Sequence, residues 1–248
     1  MSSSLYTPIE IRKIKKTNLR GGTIIDGFPS VGLTNAIASE CFVHSLKTEL
    51  VAVLDSPGFP ALSIIRNTTP NFPARIYANE DLKLTIFASE LNLDQSMYYS
   101  ISKIVLQWAV ENECELIISA TGMPASEEED ADQVTEAQVY AAASTEQSLK
   151  RLADAGIPQL SDGSVTGIAA LLLNEGAWMN FDVIVLLVKV LKDSPDFRAA
   201  AAVSETISKL VPGASCDIPS LLKEAELIEK NLRKIRNEQA NPSVRIYG

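Results

Sequence analysis

The chain has 248 residues, of which 46% are hydrophobic and 21% are charged, so it can bury a sizeable core and is not disordered overall. Its formal net charge is −9, and an acidic body repels phosphate backbones, so we expect no nucleic-acid partner. The N-terminus lacks the basic and apolar stretches of a signal peptide. The longest apolar run, 183–188, is too short to cross a bilayer. These features predict a cytoplasmic protein without a membrane partner.

Short apolar runs rich in β-branched residues alternate with stretches of helical period along most of the chain. The predicted strands are 23–25, 49–54, 82–88, 116–118 and 183–188. The predicted helices are 31–46, 96–111, 134–155, 167–176 and 196–210, with a predicted loop over 121–124 and a solvated face or edge strand in the basic run 12–20. This alternation predicts an α/β three-layer sandwich with a mostly parallel sheet. Any ligand is expected at the carboxyl ends of its strands.

The last part of the chain predicts a long helix. Pro219 suits a first helical turn, and the stretch that follows, up to Gln239, lacks glycine and proline. Its apolar residues form a seam with a period of 3.5, which is typical of helix pairing. The seam residues are Leu221, Ala225, Ile228, Leu232 and Ile235. The seam either packs on its own domain or mediates oligomerisation, and the sequence does not decide between the two.

Asn241-Pro242 ends this helix, because proline cannot continue it. We therefore divide the chain into an α/β core domain (1–215), a C-terminal helix (216–240) and an extended tail (241–248). The tail ends in Ile246, Tyr247 and Gly248, and apolar groups at a chain end call for a pocket that receives them. The terminal carboxylate adds a charge that a lysine of a partner can pair.

This ending resembles the hydrophobic–tyrosine–any-residue signature of proteasome-docking tails, which insert between α-subunits of the core proteasome. Three segments of the body resemble the proteasome assembly chaperone family: the Gly-Phe-Pro-Ser-Val-Gly run 27–32, the loop 121–124, and the glycine-plus-leucine segment 161–173. The resemblance covers roughly residues 19 to 215. It implies a phosphorylase-like α/β fold, a homo-oligomer, and a role in proteasome assembly or activation.

The run 27–32 also allows an anion- or ligand-binding loop, with Gly27, Ser30, Gly32 and Gly122 as its candidate residues. It lacks the glycine-lysine-serine/threonine ending of a phosphate-binding loop and the glycine spacing of a dinucleotide fingerprint, so a tight strand–helix turn is the favoured interpretation. Ser30 lies outside a nucleophile elbow. The single histidine, His44, lies fourteen residues along a helix, which places it roughly 20 Å away.

Metal and disulfide chemistry are not expected. The three cysteines lie far apart without a Cys-x-x-Cys pair, so each is expected to be a small buried hydrophobic residue. The acidic segment 127–136 lacks the glycine and spacing of a calcium loop, which favours a solvated loop.

We therefore expect a protein-binding function without catalysis, cofactor or metal, in which the tail docks on the core proteasome. The alternative is a phosphorylase-like enzyme or a nucleoside- or phosphate-binding protein. That alternative requires polar groups to converge in a pocket around Asp26, Ser30, Thr121 and Asp162.

Overall fold

A computed structural model of the chain describes residues 7–124, 137–190 and 195–223. Within these ranges the chain forms an eight-stranded sheet, a separate two-stranded hairpin and five α-helices, and 218–223 are also helical. The strands are β1 (Glu10–Lys13), β2 (Thr23–Ile25), β3 (Glu49–Asp55), β4 (Ile64–Arg66), β5 (Thr69–Asn71), β6 (Ala74–Asn79), β7 (Leu84–Ser89), β8 (Leu116–Pro124), β9 (Val139–Ala143) and β10 (Asp182–Val190). The helices are α1 (Thr34–Ser45), α2 (Tyr98–Glu111), α3 (Glu146–Asp154), α4 (Gly167–Met179) and α5 (Phe197–Leu210).

The large sheet has a parallel centre and antiparallel edges. Its strand order is β1-β3-β6-β7-β2-β8-β10-β9. The four strands β7, β2, β8 and β10 run parallel, whereas β1, β3 and β6 on one side and β9 on the other are antiparallel. The side chains of 183–188 in β10 are fully buried, as expected for a strand that is covered on both faces. The predicted parallel sheet is thus confirmed for the four central strands.

Helices cover both faces of the sheet and enclose two hydrophobic cores. Helices α2 and α4 lie on one face and contribute Ile104 and Leu172 to its core. Helices α1, α3 and α5 lie on the other face and contribute Phe42, Leu152 and Val203. This arrangement confirms the predicted α/β sandwich. No helix in the described ranges is both long and apolar enough to cross a bilayer.

Local signals explain where the confirmed helices begin. Asp196 caps α5, because its carboxylate accepts a hydrogen bond from the Ala199 N–H at 2.9 Å. The turn before α2 is capped by Asp94, which accepts from the Ser96 N–H at 2.8 Å. Helix α1 begins only after a short 3-10 turn over 31–33, so it starts three residues later than predicted.

The predicted helix over 134–155 is wrong in its described first half. Val139–Ala143 forms β9, and only Glu146–Asp154 forms a helix. Strand β9 pairs antiparallel with the outer edge of β10, from Ile184 to Val188. The alanine-rich sequence suggests a helix, but the unpaired backbone groups of that edge require a partner, and this demand outweighs the weak local propensity.

The predicted loop over 121–124 is also wrong. These residues extend β8, and they pair in parallel with 187–190 of β10. Glycine and proline at 122 and 124 indicate a loop by composition. The nine-residue length of β10 supplies enough backbone partners to keep β8 extended to Pro124.

The periodicity does not reveal β1, β4, β5 and β6. Strand β6 lies inside the sheet between β3 and β7, yet it carries Arg75, whose side chain is 1% exposed. The guanidinium is accommodated because it donates to Glu90 Oε1 at 2.7 Å and to the Phe72 carbonyl at 3.0 Å. A buried arginine within a strand conceals that strand from a hydrophobicity pattern. Strand β1 confirms that the basic run includes an edge strand.

The expectation for the cysteines is wrong for two of them. Cys41 in α1 and Cys216 after α5 form a disulfide, with their Cα atoms 5.7 Å apart and a sequence separation of 175. Cys114 is a buried free thiol, as predicted, and burial raises its pKa to about 11. The pairing arises from the contact of α1 with the segment after α5, which sequence spacing does not indicate.

The double substitution Cys41→Ser/Cys216→Ser should lower the free energy of unfolding by about 3 kcal/mol, or Tm by about 10 °C, because it releases a very long closed loop in the unfolded chain. Thermal unfolding with and without reductant measures this. Reductant should lower the Tm of the wild type and leave that of the double variant unchanged. Three titratable thiols in unfolded, unreduced protein would contradict the disulfide.

Candidate functional site

A cavity of about 310 Å³ opens at the carboxyl end of β2, beside residues 119–121 of β8, and the first turns of α1 and α4 also line it. Its polar interior is formed by Asp26, Asn35, Ser119 and Thr121. Its walls and rim include Ser30, Asn92, Gln95, Tyr98 and the start of α4, 166–169. The position is the one at which parallel α/β sheets hold ligands.

Asp26 is the centre of a buried hydrogen-bond network. Its carboxylate accepts from Ser119 Oγ at 2.7 Å, from the Phe28 N–H at 3.1 Å and from Asn35 Nδ2 at 3.2 Å. Asn35 also donates to the Phe28 carbonyl at 3.2 Å and accepts from the Ala120 N–H at 3.1 Å. One carboxylate and one amide therefore join β2, β8 and α1.

The charge of Asp26 is only partly compensated. The residue is 1% exposed, and burial raises the pKa of its carboxyl, while the hydrogen bonds from Ser119, Phe28 and Asn35 act in the opposite direction. Among the described residues, Asp26 forms no ion pair with a lysine, arginine or histidine. A carboxylate in this situation favours a cation or a proton beside it.

The N-terminus of helix α4, which carries a partial positive charge, lines the same cavity. Its N-cap residue, Thr166, makes no side-chain capping hydrogen bond, which leaves the first N–H groups of the helix without a side-chain acceptor. Gly167 has a φ of +75° and faces open space. Thr121 is 4% exposed, lines the cavity, and its hydroxyl has no hydrogen-bond partner in the part of the chain that the structure describes.

The candidate anion-loop residues occupy different environments. A Cβ atom on Gly27 would lie 1.9 Å from the Phe87 carbonyl oxygen, and one on Gly122 would lie 2.5 Å from the Val31 carbonyl oxygen. Gly32 has a φ of +70° and lies against Val190. These three glycines permit close strand–helix packing, whereas Ser30 lines the cavity.

The residues proposed for an enzyme pocket converge only in part. Asp26, Ser30 and Thr121 line one cavity, and Asp162 is not among its lining residues. Ser30 Oγ lies 3.3 Å from Thr34 Oγ1 and has no histidine near it in the described ranges, because His44 is exposed and lies in a separate groove beside the disulfide. The same ranges hold no cluster of three or more metal-ligating side chains.

Sequence reasoning missed Asn35 and Ser119. Each is a polar residue at a fully buried position, Asn35 in the first turn of α1 and Ser119 within the apolar run of β8. A polar residue that interrupts the apolar run of β8 is the signal that could have identified Ser119, whereas the role of Asn35 follows from contacts that only the fold brings together.

Most of the predicted docking and oligomerisation residues lie outside the described part of the chain. This applies to Ile246, Tyr247 and Gly248 of the tail, to the acidic segment 127–136, and to the seam beyond residue 223. Leu221, the first seam residue, is buried. The disulfide and a hydrogen bond from the Asp217 N–H to Ser45 Oγ at 3.0 Å hold the start of this helix against α1.

Asp26→Ala should lower the free energy of unfolding by about 3 kcal/mol, because it leaves buried donors unpaired. The raised pKa means that the folded protein binds this proton more tightly than the unfolded chain does. The stabilisation by Asp26 is therefore complete below its ordinary pKa of 3.8 and declines as pH rises toward the folded pKa. Urea unfolding of both proteins between about pH 4 and pH 7 measures this decline.

Asp94→Ala is the matched control for this titration. The pKa of Asp94 is lowered by hydrogen bonds from Ser96, so its contribution to stability should increase with pH. If the destabilisation caused by Asp26→Ala also increases with pH, Asp26 lacks the charge penalty assigned to it.

Comparison with known proteins places the fold. PbaA of Pyrococcus furiosus, described as an archaeal homolog of proteasome-assembly chaperone, superposes with a TM-score of 0.80 at 29% identity, covering 94% of each chain. PbaB of the same organism, described as an archaeal proteasome activator, superposes at 0.78 with 23% identity, covering 92% of this chain and 99% of PbaB, which shows a shared fold. An uncharacterised protein of Methanocaldococcus jannaschii is 25% identical over 223 residues, covering 90% of this chain and 89% of its own. The family model described as the PAC2 family matches residues 24–236, and this chain therefore belongs to the PAC2 family.

Proposed function

We propose that this chain is a proteasome assembly chaperone or activator that docks on the α-ring of the core proteasome through Ile246, Tyr247 and Gly248. The observation that carries the proposal is its likeness to PbaA, the archaeal homolog of proteasome-assembly chaperone, which extends over 94% of both chains at 29% identity. A likeness of that extent cannot rest on the three residues at the chain end alone.

The chemistry of the tail supports docking. Tyr247 offers a large aromatic surface at low conformational cost and a hydroxyl that can form a hydrogen bond. Ile246 adds apolar area, and the carboxylate of Gly248 carries a charge that a lysine can pair. Together these three residues form one docking unit, called the plug below. Burial of its apolar groups would provide affinity, and pairing of its carboxylate would fix how far it enters the pocket.

The body supports the proposal by holding the start of the C-terminal segment in place. The disulfide of Cys216 with Cys41 and the hydrogen bond of Asp217 with Ser45 attach 216–217 to α1, and the side chain of Leu221 further along is buried. A docking segment that leaves a rigid body from a defined point loses less entropy on binding than one that leaves from a long linker.

We also propose that the protein is a homo-oligomer, which would present several tails to the proteasome at once. The seam of the C-terminal helix is one candidate contact. A second is an apolar patch on α2 and α4 that includes Val110, Trp178 and Met179, of which Trp178 is 89% exposed. A tryptophan this exposed on a helix otherwise packed against the sheet favours contact with another surface.

The geometry gives less support to the alternative of a phosphorylase-like or phosphate-binding enzyme. The described residues that line the cavity include no lysine, arginine or histidine to balance a phosphate. They do include the carboxylate of Asp26, which repels one. We therefore expect no intrinsic hydrolase activity, and an activity of the wild type that Ser30→Ala abolishes would contradict this.

Tyr247→Ala should weaken binding to purified core proteasome by about 2 kcal/mol per tail, or about 30-fold, because it removes the aromatic anchor. Deletion of residues 246–248 and addition of one C-terminal residue should have effects in the same direction, since the added residue moves the carboxylate away from its partner. Surface plasmon resonance with immobilised core proteasome measures each.

Ser243→Ala is the matched control, because it alters the same tail outside the plug. Circular dichroism and light scattering should show an unchanged fold and mass for every variant. Wild-type affinity in all three tail variants would overturn the docking proposal. Peptide hydrolysis by mature core proteasome then distinguishes an activator, which accelerates it, from an assembly chaperone, which accelerates only the formation of α-rings.

Leu232→Asp should shift the mass measured by light scattering toward the monomer if the seam joins subunits, because it places a charge in an apolar contact. Lys230→Asp changes the charge on the side of the predicted helix opposite to the seam and should leave the mass unchanged. If Leu232→Asp unfolds the body, the seam packs within its own domain. A wild type that is monomeric at micromolar concentration would rule out the oligomer.

A further inference from the structure

The cavity between the end of β2 and residues 119–121 of β8 contains the carboxylate of Asp26, which has no positively charged partner among the described residues. Asp26 is 1% exposed and hydrogen bonded by three neutral donors, without an ion pair among the described residues. Neutral donors orient a carboxylate and reduce its burial cost, but they do not balance its charge. A positively charged group in the cavity would do so.

The same cavity contains a positive pole that lacks an anion. The uncapped N-terminus of the thirteen-residue helix α4 lines it through Gly167, Ile168 and Ala169, and free N–H groups at a helix start attract negative charge. The hydroxyl of Thr121, 4% exposed and without a hydrogen-bond partner in the described ranges, faces the same space. A hydroxyl of a cavity-lining residue that makes no hydrogen bond within the described ranges is available to one from a ligand.

We propose that this cavity binds a free α-amino acid, with the ammonium group beside Asp26 and the carboxylate on the N–H groups that begin α4. A zwitterion satisfies both poles and adds no net charge, which suits a cavity lined by no lysine, arginine or histidine among the described residues. The Thr121 hydroxyl donates to the carboxylate or accepts from the ammonium group. A volume of about 310 Å³ is at the small end of ligand pockets, which suits a ligand of this size.

Other ligand classes match only one pole. A phosphate or a simple carboxylic acid suits the start of α4 but is repelled by Asp26, and a simple amine suits Asp26 but leaves the helix N-terminus without an anion. The proposal goes beyond the proteasome function and is argued only from residues of the α/β body, so a failure of the docking proposal leaves it standing.

The experiment is a thermal-shift screen of the full chain against each of the twenty standard amino acids and inorganic phosphate, followed by calorimetry on the amino acid that raises Tm most. Two analogues of that amino acid are measured beside it, the amine that lacks its carboxylate and the acid that lacks its amino group. We expect each analogue to bind at least about 10-fold more weakly than the amino acid, because each loses one charged contact.

Thr121→Val retains the shape of the side chain and removes only its hydroxyl, so the amino acid should bind about 5-fold more weakly to this variant. Thr206→Val is the matched control, since Thr206 is a buried threonine of α5, and it should bind like the wild type. The analogue comparison uses wild-type protein and decides the question even if Thr121→Val does not fold. The proposal is overturned if no amino acid binds, if phosphate binds more tightly than every amino acid, or if either analogue binds as well as its parent.

Discussion

Three hydrogen bonds to the carboxylate of Asp26 hold the end of β2 against β8 and α1. Asp26 follows β2, Ser119 lies in β8, and Asn35 lies in α1, so one buried group connects β2 and the nearby helix α1 to a strand about ninety residues further along the chain. A buried carboxylate is costly unless its partners are in place, and this cost selects one arrangement of the three elements. Gly27 and Gly122 permit the close backbone approach that this arrangement requires.

The same constraint explains the cavity. Asp26 and Asn35 are hydrogen bonded to each other and to Ser119 and Ala120 of β8. The chain between them turns away over 28–34, and a space remains between this turn and the start of α4. The interior of that space is polar, since the groups that hold the strands together also line it. A structural network and a ligand-binding surface are therefore formed by the same side chains.

The C-terminal segment depends on a different set of contacts. The disulfide between Cys41 and Cys216 attaches it to α1, whose first turn carries Asn35. Helix α1 therefore carries both the disulfide that holds the start of the C-terminal segment and Asn35 of the polar network around Asp26.

The sequence by itself determined the central strands, α1, α2 and α5, and the chemistry of the tail, because each is encoded by neighbouring residues: apolar runs, helical periodicity, caps such as Asp196, and the order Ile246-Tyr247-Gly248. Only the tertiary structure decided that Val139–Ala143 is a strand, that β8 continues to Pro124, that Arg75 lies inside the sheet, and that Cys41 bonds Cys216. It also decided that Asp26, Asn35, Ser119 and Thr121 line one cavity. Each of these outcomes depends on a partner that is distant in the chain. The partner is an unpaired strand edge, a buried carboxylate or a second thiol, and the local sequence does not specify which distant residue supplies it.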